Sequence, residues 1–194
     1  IKKHMDGVIF AGEVDIRVIE EFRKQSIPVV LVNNYLDMDG LVCISADHYG
    51  GAVQATEYLC KLGHCKIGLL SGRFSPQVSE ARIEGFVKTL AKYDIPVDDR
   101  FIADIEPALE DGEEIMTRML REVDRPTAFF CTNDTIAAGA MKAVTRAGLR
   151  VPEDIAIIGF DDSYISRVVE PELTTVRIDA AKMGCLAMQT LFDL

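Results

Sequence analysis

The chain of 194 residues is 48% hydrophobic and 7% aromatic, enough apolar material for one sizeable domain or two small lobes. Its 21 Lys and Arg stand against 31 Asp and Glu, a net charge of -10, which repels polyphosphate and argues against a direct grip on DNA by this chain. No run approaches the length of a membrane-spanning helix, and the apolar segment before Glu13 is too short for a signal peptide, so a soluble chain with no membrane attachment is expected.

The apolar, often β-branched segments predict strands at Gly7 to Ala11, Val29 to Val32, Val42 to Ser45, Ile67 to Leu70, Ala128 to Cys131 and Ile155 to Phe160, with a weaker one at Phe101 to Ile105. Between most of them, three- and four-residue apolar spacings predict helices over Asp15 to Gln25, Gly50 to Leu62, Ala81 to Tyr93, Gly112 to Val123 and Thr135 to Ala147. Strands alternating with helices imply parallel sheets wound by right-handed crossovers. Gly63, Gly148, Pro28, Pro96 and Pro152 mark the connections.

The five cysteines are odd in number and form no CxxC pair, which reads as free thiols in a reducing cytoplasm. Cys60, His64 and Cys65 come nearest to metal-ligand spacing, but no second pair accompanies them, and neither a metal nor a cofactor is expected.

In parallel sheets ligands gather beyond the carboxyl ends of the strands. Four polar strand ends qualify: Asn33 with Asn34, Ser71 with Gly72, Asn133 with Asp134, and Asp161 with Asp162. Asp134 suits a helix N-cap better than a catalytic carboxylate. Asn133 offers both a donor and an acceptor to a hydroxyl-rich ligand. Asp161 and Asp162 fit a solvated turn as well as a ligand contact. Phosphate-binding signatures of the GxxxxGK[ST] and GxGxxG kinds are absent, as is the GxSxG elbow. The three histidines, His4 in the terminal segment, His48 beside a helix start and His64 at a helix-to-strand turn, have no supporting motif, and no catalytic residues are assigned.

The segment "RPTAFFCTNDTIAAGAMKAVTRAGLRVPEDIAIIGFDD" from Arg125 to Asp162, followed by "PELTTVRID" from Pro171 to Asp179, resembles the effector-binding core of the LacI/GalR family of bacterial transcription regulators. "DGVIFAG" at Asp6, "YLCKLGHCKIGLLSG" at Tyr58 and "ARIEGFVKTLAKYDI" at Ala81 fit the same family in the same order. The resemblance implies an α/β fold of two doubly wound parallel-sheet lobes joined by a hinge, like that of the periplasmic sugar-binding proteins, with an effector in the interlobe cleft. It implies a partial N-terminal lobe from residues 1–64 and 177–194 and a C-terminal lobe from residues 65–176. Arg82, Asn133 and Asp161 match the family's polar anchors. Ile105 stands where relatives often carry an aromatic platform, Phe74 and Tyr164 are candidates either for a substitute aromatic wall or for core or cleft rim, and Asp47 either faces the cleft from the other lobe or caps a helix. The implied partners are a small carbohydrate-like effector, a second copy in a homodimer with Val53, Tyr58 and Leu59 as contact candidates, and operator DNA through a helix-turn-helix headpiece outside this chain. A periplasmic sugar-binding protein of a transporter shares the fold and remains the alternative; the unpaired cysteines favour the regulator.

Overall fold

A computed structural model describes residues 5–34, 36 and 38–194; His4 lies outside them. The chain divides into two compact units, one built from the segment up to Ala46 together with Asp179–Leu194, the other from Asp47–Ile178.

The smaller unit holds a three-stranded parallel sheet in the order β1 (Val8–Ala11), β2 (Val29–Val32), β3 (Val42–Ile44). Helix α1 (Ile16–Lys24) links β1 to β2, and α7 (Ala180–Asp193) closes the chain. Asp15 caps α1 by accepting from the Arg17 backbone N–H, and Ile19 inserts between Val29 and Leu31 to form the core.

The larger unit is a five-stranded, all-parallel sheet ordered β5-β4-β6-β7-β8: β5 is Ile102–Ile105, β4 Ile67–Gly72, β6 Ala128–Cys131, β7 Ala156–Asp161 and β8 Thr174–Arg177. Every residue of β4 and β6 is buried, as expected of strands covered on both faces. On one face α2 (His48–Lys61) and α3 (Pro76–Lys92) pack Ala52, Leu59, Phe86 and Leu90 against Ile67, Leu69, Phe130 and Phe160. On the other, α4 (Leu109–Met119) and α5 (Asp134–Arg146) pack Met116, Ile136 and Ala140 against Leu70, Phe129 and Ile157. Glycine permits the close approach of each helix pair: a Cβ at Gly85 of α3 would meet the Tyr49 carbonyl 2.7 Å away, and one at Gly139 of α5 would meet the backbone of Leu109.

The two separate sheets match the expected pair of doubly wound bodies, but the division falls after Ala46 and not after His64. Helix α2 belongs to the larger unit because Ala52, Ala55 and Leu59 are part of that unit's core. Leu59 is therefore a core residue, whereas Tyr58 is exposed. Helix α3 starts at Pro76, five residues before the expected Ala81, with proline at N1 where its missing N–H costs nothing. The sequence reading missed β8 and the short α6 (Ile165–Val168). Among the described residues no helix is long and apolar enough to cross a membrane, and all five cysteines are unpaired.

Candidate functional site

The winding of the larger sheet reverses at β4: β5 lies on one side of it and β6 on the other. The crevice outside the carboxyl ends of β4 and β6 is the switch point, where ligands of such sheets bind. Arg82 projects to this place from the middle of α3 and is 3% exposed. It is not the exposed first-turn arginine that a helix starting at Ala81 would give. Its guanidinium lies over the Phe160 ring at 4.0 Å and the Phe74 ring at 4.9 Å, a stacked arrangement available to a planar, weakly hydrated cation. Nη1 donates to the carbonyl of Thr132, and Nη2 donates to Asp161 Oδ1 at 3.3 Å and to His48 Nδ1 at 3.2 Å. Because the guanidinium has only donors, Nδ1 of His48 accepts and the imidazole proton sits on Nε2. Burial and the neighbouring Arg82 charge push the His48 pKa down to about 4, with Asp47 opposing. The ring is neutral at pH 7.

Asp161 ends β7 with φ 109°, and Asp162 follows with φ 51°. Two successive residues in the left-handed half of the map turn the chain sharply at the strand end and hold the Asp161 side chain beside Arg82. Burial pushes the Asp161 carboxyl up to about 6; Arg82 pulls it down, and Asp134 adds to the rise. The pair is close to charge balance, leaving a carboxyl that exchanges its proton near neutral pH.

The capping role expected of Asp134 falls to Asn133. Asn133 is the N-cap of α5: its backbone is extended and its Oδ1 accepts from Ile136 N–H at 2.8 Å. Its Nδ2 donors are not used by the cap. Asp134 lies one residue inside the helix, 1% exposed. Its Oδ2 accepts from Ser163 N–H at 2.6 Å and its Oδ1 from the Thr175 hydroxyl at 2.5 Å. It ties the β7 and β8 ends to the head of α5 and is structural.

The other candidates fall at varied places. Phe74 packs on the Arg82 guanidinium. Ile105 is buried in the core cluster with Leu70 and Ile136, so it supports β5 and offers no platform. Asp47 caps α2, accepting from Gly50 N–H at 2.7 Å, and belongs to the same unit as Arg82, not to the opposite one. Tyr164 is exposed on the turn into α6. His64 bonds to Thr127 Oγ1 at 2.8 Å, far along the strands from the switch point. His48 and Thr132 were not singled out from the sequence as site residues; a histidine at the head of a glycine-containing helix gave no hint of the arginine it would meet.

Comparison with known proteins bears on the family and the fold. The periplasmic binding protein-like domain family matches residues 56–194. The chain is 35% identical to the probable HTH-type transcriptional repressor ExuR of Bacillus subtilis over 97% of its own length and 57% of that protein's. It is 37% identical to the HTH-type transcriptional repressor PurR of Actinobacillus pleuropneumoniae over 100% of its length and 58% of that protein's. It thus spans little more than half of each of these relatives. Among solved structures, a LacI family transcriptional regulator from Enterococcus faecium with bound ribose superposes with a TM-score of 0.86 at 28% identity, covering 97% of this chain and 70% of that one. The chain belongs to the periplasmic binding protein-like domain family.

Proposed function

We propose that this chain senses a small, uncharged, hydroxyl-rich effector, a sugar or related metabolite, and thereby modulates operator binding by a headpiece outside it. The observation that carries the reading is the Arg82–Asp161 pair at the switch point of the larger sheet, with Asn133 on the neighbouring strand end. A guanidinium, a carboxyl and an amide offer donors and acceptors in fixed directions, and the rings of Phe74 and Phe160 hold the guanidinium in place. Arg82 is already charge-paired, which disfavours an anionic ligand. The ribose held by the Enterococcus faecium relative supports the same effector class.

On this reading Arg82, Asp161 and Asn133 hold a ligand and carry no catalytic role. The protein works in the cytoplasm as a homodimer, whose paired headpieces span an operator's half-sites. Regulation requires that the effector bind one conformation more tightly than another. Fluorescence anisotropy of the full-length protein on its operator fragment, with and without neutral monosaccharides such as D-ribose, tests this. A shift in operator affinity with one sugar supports the reading; an operator affinity indifferent to every sugar, in a protein that also binds none of them, overturns it.

A further inference from the structure

Ser71 stands near the carboxyl end of β4, at the switch point, and is 1% exposed. Its Oγ has no hydrogen-bond partner among the described residues. Strand alternation fixes its direction. Ile67 and Leu69 enter the core shared with α2 and α3, whereas Leu70 enters the opposite one, so Ser71 points to the α2/α3 side. Thr132 lies one residue beyond the Leu70–Cys131 pair and so is opposite Ser71. Its carbonyl accepts from Arg82, whose guanidinium rests over Phe160 on that same side of the sheet.

A buried hydroxyl without a partner is unfavourable, and native folds keep such atoms rarely. Nothing in the packing requires a hydroxyl here, since alanine would occupy the same strand position with one atom fewer. A second buried hydroxyl without a partner, Ser75 Oγ, lies on the same β4–α3 connection: Ser75 is the N-cap residue of α3 yet makes no side-chain capping bond. The Ser71 hydroxyl, opposite the Thr132 residue whose carbonyl Arg82 holds, is a polar group awaiting a polar ligand.

We infer that Ser71 is a further effector-contacting residue whose hydroxyl exchanges a hydrogen bond with a hydroxyl of the bound effector, next to the groups supplied by Arg82 and Asp161. The inference rests on the proposed function. It adds a specificity element, because a hydroxyl both donates and accepts and so favours an uncharged hydroxyl over a carboxylate or phosphate oxygen at that position.

The test compares wild-type and Ser71→Ala full-length proteins by calorimetric titration with D-ribose, D-glucose and D-galactose, and by thermal melting without sugar. The variant should melt at the wild-type temperature or above it, since it loses only an unmatched atom, and should bind the sugar that wild type binds about tenfold more weakly. A lower melting temperature in the unliganded variant marks the hydroxyl as structural and overturns the inference. Unchanged sugar affinity overturns it too, and leaves the proposed function standing. Wild-type protein that binds none of the three sugars removes the functional reading itself and this inference with it.

Discussion

Arg82 Nη2 donates to Asp161 Oδ1 at 3.3 Å across 79 residues of sequence, and this contact joins the middle of α3 to the end of β7. On the proposed reading the same carboxyl receives the effector's hydroxyls. Asp161→Ala should then weaken effector binding by one to two decades, the loss expected when a charge-assisted hydrogen bond worth roughly 1.5 to 3 kcal/mol is removed. The fold should survive, because the Thr132 carbonyl and His48 still hold the guanidinium. Circular dichroism checks the second expectation, and titration of the variant checks the first.

Asn133 carries two roles that substitution can separate. Its Oδ1 caps α5, so Asn133→Ala should lower stability by about 1 kcal/mol. Asn133→Ser keeps a capping oxygen but lacks the amide donors. The serine variant should unfold at the wild-type denaturant concentration while binding effector several-fold more weakly. Equal affinity in a stable serine variant would leave Asn133 as a cap alone.

The titrations of buried His48 and half-buried Asp161 act on stability in opposite senses as the solution is acidified. The His48 pKa is lowered from 6.5 to about 4, so the neutral ring contributes stability that is full above pH 6.5 and is lost as pH falls toward 4. That contribution is on the order of 3 kcal/mol. The Asp161 pKa is raised from 3.8 to about 6, so its contribution is full below pH 3.8 and is lost as pH rises through 6. Urea unfolding between pH 4 and 7 should therefore show a shallower acid loss in His48→Asn and a steeper one in Asp161→Asn, each relative to wild type. Parallel pH profiles for all three proteins would contradict this electrostatic picture.

Asp134 should matter to stability and not to ligand. Its removal in Asp134→Ala strands the Ser163 N–H and the Thr175 hydroxyl in a half-buried place, a cost of about 1 to 3 kcal/mol. Denaturant unfolding gives the size of the effect. A variant as stable as wild type would show that water replaces the carboxylate there.

Periodicity made most of the fold legible. The runs Val29–Val32 and Ala128–Cys131 are strands with the expected bounds because both are short, apolar and bounded by turn residues. Strand β8 escaped because "TTVR" is only half buried at the sheet edge and shows no apolar run. The helical part before Ala81 escaped because Pro76 and Gln77 break the apolar spacing, although proline is at home in a first turn. The unit boundary was displaced because a helix carries no sequence mark of which core it serves; Ala52, Ala55 and Leu59 would suit either. At the site, the strand-end rule located Asn133 and Asp161 but could not tell which of Asn133 and Asp134 turns its side chain to the helix, since either residue caps well. His48 became visible only through its partner, 34 residues away.

Calorimetric titration of wild-type and Asp161→Ala protein with D-ribose, further neutral monosaccharides and their phosphorylated forms decides whether Arg82 and Asp161 hold a neutral, hydroxyl-rich effector. Wild type should bind one neutral sugar saturably, should bind its phosphate ester at least tenfold more weakly because Arg82 is already charge-paired with Asp161, and the variant should lose one to two decades of affinity for the neutral sugar. A phosphate ester bound more tightly than the neutral sugar, or a neutral sugar bound equally by both proteins, would contradict the proposed reading.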